Sequence, residues 1–118
     1  MKWLLIVTFI FSGCAYTPDK WTKKQIILQG TATALSVIDW GQTLDIVDRP
    51  EYYEINPIIG KHPSRADVNR YFACSVILKV LITHILPSEY RKYWLGGNIL
   101  ISGYFVNNNY QIGLRVNY

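Results

Sequence analysis

Five residues carry the side chains and the spacing from which a polar site could be assembled: Asp39, Gln42, Thr43, Glu54 and Asn56. The first three stand at i, i+3 and i+4, so a helix places them on one face. Glu54 and Asn56 follow in a segment rich in proline and tyrosine. A pair of carboxylates held at a fixed separation can share acid and base roles, but nothing in the spacing sets the distance from Asp39 to Glu54. The reading taken is structural. Asp39, Gln42 and Thr43 are expected to hydrogen-bond across a helix bundle, to Asn98 or Asn56, because buried polar groups must find partners and such a patch specifies helix register. A metal centre would need His62, His84, Asp39, Asp45 or Glu54 to converge. Neither histidine belongs to a His-x-x-x-His spacing, the two cysteines form no Cys-x-x-Cys pair, and Asp39 and Asp45 are separated by about 600° of helical turn. There is no Gly-x-Ser-x-Gly nucleophile motif. No metal, no cofactor and no enzymatic activity are therefore expected.

The remaining reactive group is Cys14. Lys2 gives the chain a positive start, Trp3 to Phe11 is an apolar run, and Ser12-Gly13 precede the cysteine. Positive charge, a short apolar stretch and small residues before a cut describe a secretory signal peptide. The run is shorter than the roughly 20 residues of a membrane-crossing helix. Phe11-Ser12-Gly13-Cys14 resembles the lipobox of bacterial lipoproteins, with Phe11 where leucine is usual. The resemblance implies that the Cys14 sulfur receives a diacylglyceryl group, that the chain is cut before it, and that the new amine is acylated, with palmitate among the fatty acids attached. Ala15 is not the aspartate that retains many such lipoproteins in the inner membrane. The resemblance thus implies an anchor outside the cytoplasm, at the periplasmic face of the outer membrane. Several acyl chains make attachment effectively permanent, at about 0.8 kcal/mol per buried methylene. With Cys14 so used, Cys74 has no intramolecular partner. It lies in the apolar run Phe72 to Leu78, where a buried, inert thiol is expected.

The chain has 118 residues, half of them hydrophobic, and a net charge of +4. One domain is the natural expectation, and the composition is too apolar for disorder. Lys20, Lys23 and Lys24 cluster near the start and read first as solvated surface. Near anionic head groups each would add roughly 1 kcal/mol of attraction. The chain has no basic stripe, zinc-finger spacing or RNA-binding aromatic motif, which speaks against a nucleic-acid partner. The partner expected is the bilayer, through the acyl chains on Cys14, together with a protein of the envelope.

The elements that must position these residues form a mainly α fold: a signal peptide over 1–13, a lipidated tether over 14–21 and a helical domain over 22–118. Helices are expected over 22–47, 64–86 and 88–106, packed as a three-helix bundle, with a short C-terminal extended strand over 110–117. Thr22 with Gln25 and Ser64 with Asp67 have capping-box spacing. Arg49-Pro50 ends the first helix. Pro57 biases Asn56 toward extended backbone, and Gly60 permits a turn. Pro87 stops the second helix and Ser88 caps the third. Gly30, Ala34 and Gly41, and then Gly96-Gly97, are read as points of close helix approach. From Tyr110 to Tyr118 apolar and polar residues alternate, the pattern of a strand, which could add to another chain's sheet edge or, the reading preferred, lie as an extended tail on the bundle. Asp39, Asp45, Lys79 and His84 oppose burial of the helices across a bilayer, so the bundle is expected to rest on the membrane surface, with partial insertion left open.

The order Asp39-x-x-Gln42-Thr43, Glu54-x-Asn56-Pro57-x-x-Gly60, Leu86-Pro87, Tyr90-Arg91 and Asn108 is similar to that of uncharacterised small lipoproteins and membrane proteins of tailed phages and bacteria. That resemblance covers about residues 36 to 115 and implies a setting, not a mechanism. The expected role is a structural or interaction module at the envelope, of which phage-encoded envelope modification or exclusion of a competing phage is one version. Two alternatives stay open: a spanin-like lysis lipoprotein, although the C-terminus lacks the membrane helix of single-chain spanins, and an envelope enzyme.

Overall fold

A computed structural model describes residues 17–54 and 56–118. The signal peptide expected over residues 1–13, and Cys14 with its lipidation, lie outside the described residues. The described chain is mainly helical, with α1 (Lys23–Val47), α2 (Arg65–Ile85) and α3 (Ser88–Gln111).

Local chemistry explains most of the helix ends. Thr22 accepts from the Gln25 N–H while the Gln25 side chain accepts from the Thr22 N–H, and Ser64 and Asp67 exchange the same pair of bonds. Each box satisfies two of the amide groups left over at a helix start. The Ser64 backbone N–H and hydroxyl also hold the Asp67 carboxyl below the usual carboxylate range. The start of α3 differs from expectation. Pro87 occupies the capping position and makes no side-chain cap bond, whereas Ser88 is already helical. Its N–H donates instead to Asp19 Oδ2 at 2.8 Å.

The end of α3 also departs from the sequence reading. The helix continues past Val106 to Gln111, and no described residue from 110 to 117 is in a strand. Asn107, Asn108 and Asn109 are only moderately poor helix formers. The break comes at Gly113, whose φ of 104° few other residues adopt. Beyond it the Leu114 N–H turns back to the Asn109 carbonyl of α3 at 2.9 Å, and two further N–H groups find partners on α1 and not on a second strand. The Arg115 N–H donates to Asp45 Oδ2 at 3.0 Å and the Asn117 N–H to the Gly41 carbonyl at 3.0 Å. With those amides satisfied, no sheet partner is required. Gly60, at φ 91°, makes the turn expected of it.

Both α2 and α3 pack chiefly against α1 and scarcely touch each other. The apolar core is small and lies toward the C-terminal end of α1, where Leu44, Val68 and Phe72 are buried together. Trp40 stacks on Phe72 with ring centroids 6.0 Å apart. Gly41 permits a close approach, but by the C-terminal tail: a Cβ there would lie 2.7 Å from both Val116 and Tyr118. At Gly30, Gly96 and Gly97 an added Cβ would meet nothing within 4 Å, so the helix-packing role expected of them is not the one the fold uses. Cys74, expected to be buried, is exposed. The apolar run that contains it turns one face away from the bundle.

Candidate functional site

The structure gathers polar groups at two places, one at each end of α1.

The first is built around Arg91, which is fully buried. Its guanidinium lies where the start of α1, the end of α2 and the start of α3 meet. Nε donates to the carbonyls of Thr83 (2.8 Å) and Leu86 (3.1 Å), Nη1 to the Lys20 carbonyl (3.3 Å) and Gln25 Oε1 (3.1 Å), and Nη2 to the carbonyls of Asp19 (2.9 Å) and His84 (2.9 Å). Among the described residues no carboxylate pairs with it. Its charge is balanced by the leftover carbonyls at the C-terminus of α2, the negative end of that helix, and by the face of Trp21, 5.2 Å away. Trp21 in turn donates to His84 Nδ1 at 3.1 Å. Gln25 donates to Ser88 Oγ at 2.8 Å. The segment from Asp19 to Trp21 is thereby held from several directions. Sequence reasoning noted Arg91 only within a dipeptide. The signal available was a lone arginine four residues after a helix-stopping proline, placed to reach back to the carbonyls that the proline leaves bare.

The second is a chamber of about 420 Å³ between α1, α2, α3 and the connection that follows α1. Of the five residues singled out in the sequence, Asp39, Thr43, Glu54 and Asn56 line it. Gln42 lies beside it, buried, and links two of its walls: Nε2 donates to the Val106 carbonyl at 3.1 Å, and Oε1 accepts from Asn109 at 3.3 Å. The same Asn109 amide donates to Asp39 Oδ1 at 2.9 Å. The partner of Asp39 is therefore Asn109 on α3. Asn98 instead bonds to the Trp94 carbonyl of its own helix. The Thr43 hydroxyl turns back to the Asp39 carbonyl at 2.8 Å. In the connection, Glu54 Oε1 accepts from the Asn56 N–H and Asn56 Oδ1 accepts from the Ile58 N–H, each at 3.0 Å. Asn56 thus shapes the loop that presents Glu54.

Burial raises the Asp39 carboxyl to about 6, with the charge of Glu54 pushing the same way, against the pull of Asn109 and of the Lys79 ammonium. Two acids and one lysine face this space. At neutral pH the arrangement carries one negative charge more than it compensates, which a proton on Asp39 cancels under mildly acidic conditions. Lys79, Asn108 and Asn109 were not among the residues expected here. They come from helices whose rotation about their axes the sequence does not fix. Among the described residues, no three histidine, cysteine, aspartate or glutamate side chains are grouped so as to hold a metal ion.

Comparison with protein families, with curated proteins and with solved structures finds no significant match to this chain.

Proposed function

We propose that the chain is a lipid-anchored lipoprotein of the bacterial envelope that acts as a structural or interaction module at the membrane, with phage-borne modification of the host envelope as one setting. The observation that supports this is the fixing of Asp19, Lys20 and Trp21 by Arg91, Ser88 and His84. A lipid anchor on Cys14 would have five residues of chain to the first of these contacts, at most about 18 Å when fully extended. A body so tethered stands directly at the bilayer in a restricted orientation. Lys20, Lys23 and Lys24 are exposed at that end, where they meet anionic head groups favourably. The test is metabolic labelling with an alkynyl fatty acid, combined with the mass of the N-terminal peptide. The expected result is a peptide starting at Cys14 and carrying acyl groups, recovered with the outer membrane. An unmodified Cys14 behind an intact initiator methionine, on a protein free in the cytosol, would sink the proposal.

A second reading, an envelope enzyme or small-molecule site, is favoured by the chamber and its opposed acids Asp39 and Glu54. Its test is single replacement, Asp39→Asn and Glu54→Gln, scored on the phenotype of the gene with the fold verified by circular dichroism. If both variants act as wild type does, the chamber is structural.

A further inference from the structure

The described body buries as many polar side chains as apolar ones and leaves many large apolar side chains outside. Gln42, Thr43, Asp45, Thr83, Arg91 and Ser102 are all buried, and every buried side-chain nitrogen or oxygen among the described residues has a hydrogen-bond partner. Meanwhile large aliphatic side chains stand outward on each helix. On α1 these are Ile26 and Ile27, 58% and 60% exposed. On α2 they are Ile77, Leu78, Leu81 and Ile85, each more than half exposed. On α3 Leu100 is 76% exposed, with Tyr93 and Tyr104 on either side of it in sequence. Soluble proteins rarely leave so many large apolar side chains in water without a partner.

These residues form a band with wet ends. No charged residue occurs from Ile26 to Ile38 or from Tyr93 to Tyr104. Between Cys74 and Ile85 the one lysine, arginine, aspartate or glutamate is Lys79, which lines the chamber. Outside the band, Lys20, Lys23, Lys24 and Lys92 flank one end, and Asp48, Arg49, Arg65 and Arg70 the other. At 1.5 Å per residue the three stretches rise about 16–18 Å. That is well short of the roughly 30 Å hydrocarbon core. The helix α2 taken alone is long and apolar enough to cross a membrane by length and composition, but the band it shares with its neighbours, with charged residues beyond both ends, is too short to cross and fits helices lying along the membrane plane.

We propose that this band is immersed in the acyl region of the bilayer, so that the body is partly inserted and not merely tethered above the head groups. The inference deepens the lipoprotein reading, and the two can fail separately. Cys74 provides the probe site, since it is exposed and lies at the edge of the band on α2. The experiment uses the mature protein in vesicles of phosphatidylethanolamine and phosphatidylglycerol, with an environment-sensitive fluorophore on Cys74 and lipids carrying a nitroxide in mid-chain. The expected result is a blue-shifted emission, most of which the nitroxide lipid quenches. A probe on Asn107→Cys in a Cys74→Ser background, in the asparagine-rich end of α3 beyond the band, is expected to stay water-like and unquenched. Leu78→Lys combined with Leu81→Lys alters two half-exposed positions and preserves helix propensity. It is expected to abolish the Cys74 quenching while the protein remains on the vesicles. Three results would overturn the proposal: a water-like, unquenched Cys74 probe on vesicle-bound protein; quenching that survives the double lysine variant; or a blue shift without nitroxide quenching, which would place a second copy of the chain on the band. Failure of the lipid anchor is read independently, from the mass of the N-terminal peptide and from uptake of the fluorophore by Cys14.

Discussion

Asp19 caps helix α3 from across the chain: its Oδ2 accepts from the Ser88 N–H at 2.8 Å, over a separation of 69 residues. A helix start is ordinarily capped by the residue just before it. Here that residue is Pro87, which has no side chain able to accept, and the segment preceding α1 supplies the acceptor instead. The cap therefore does two jobs, satisfying an orphan amide of α3 and fixing the chain segment closest to the anchor proposed at Cys14.

Asp19→Ala is expected to cost about 0.5–2 kcal/mol of stability, the usual range for loss of an N-cap, and to expose Lys20 and Lys23 to trypsin. Asp19→Asn keeps an acceptor oxygen and should retain most of both properties. Thermal melts and limited proteolysis of the three proteins check this. An alanine variant as trypsin-resistant as wild type would show that the cap does not hold the tether.

Arg91 should be the least replaceable residue in the body. Arg91→Met removes the donors to six oxygens and leaves several of them buried without partners, at an expected cost of roughly 3–5 kcal/mol. Arg91→Lys keeps the charge but cannot present a planar fork to acceptors on three sides, so it should recover less than half of the loss. Urea unfolding in detergent micelles measures both.

Asp39 predicts a pH dependence with a definite sign. Its folded-state carboxyl sits near 6, whereas an unfolded aspartate titrates near 3.9. The native state thus binds the proton more tightly, and this group's stabilising contribution is fully present below pH ~4 and lost as pH rises through ~6. The loss amounts to roughly 3 kcal/mol at most. Asp39→Asn should remove this slope and be relatively more stable at pH 7 than at pH 4 when set against wild type. Comparing the two proteins cancels carboxyls such as Asp67 that titrate in the opposite sense. A stability difference between them that does not change from pH 4 to 7 would refute the assignment.

Gly41 and Gly97 should respond to alanine in opposite directions. At Gly41 the new Cβ would lie 2.7 Å from Val116 and Tyr118. Gly41→Ala should therefore displace the tail and cost about 1–3 kcal/mol. Adding Val116→Ala and Tyr118→Ala should suppress most of that penalty, a coupling that a mutant cycle measures. At Gly97 there is no neighbour within 4 Å, and Gly97→Ala should stabilise α3 by up to about 1 kcal/mol.

The three helices are legible in the sequence because their signals are local. The boxes at Thr22 and Ser64, the prolines at 50 and 87 and the turn at Gly60 each act within a few residues, so spacing alone reveals them. It also marked Asp39, Thr43, Glu54 and Asn56, since a helical face and a loop motif are both short-range patterns. What those residues meet is set by long-range packing. The partnership of Asp39 with Asn109, the capping of Ser88 by Asp19 and the seating of Tyr118 beside Gly41 join positions roughly 70 or more residues apart. The alternation from Tyr110 to Tyr118 leaves the partner of that segment open for the same reason. Period-two patterning reports an extended chain with two unlike sides, but whether its amides pair with a strand or with the flank of a helix depends on what lies beside it in space. The outward turn of Cys74 is a further case, because an apolar run shows that a helix avoids water without saying whether protein or lipid provides the shelter.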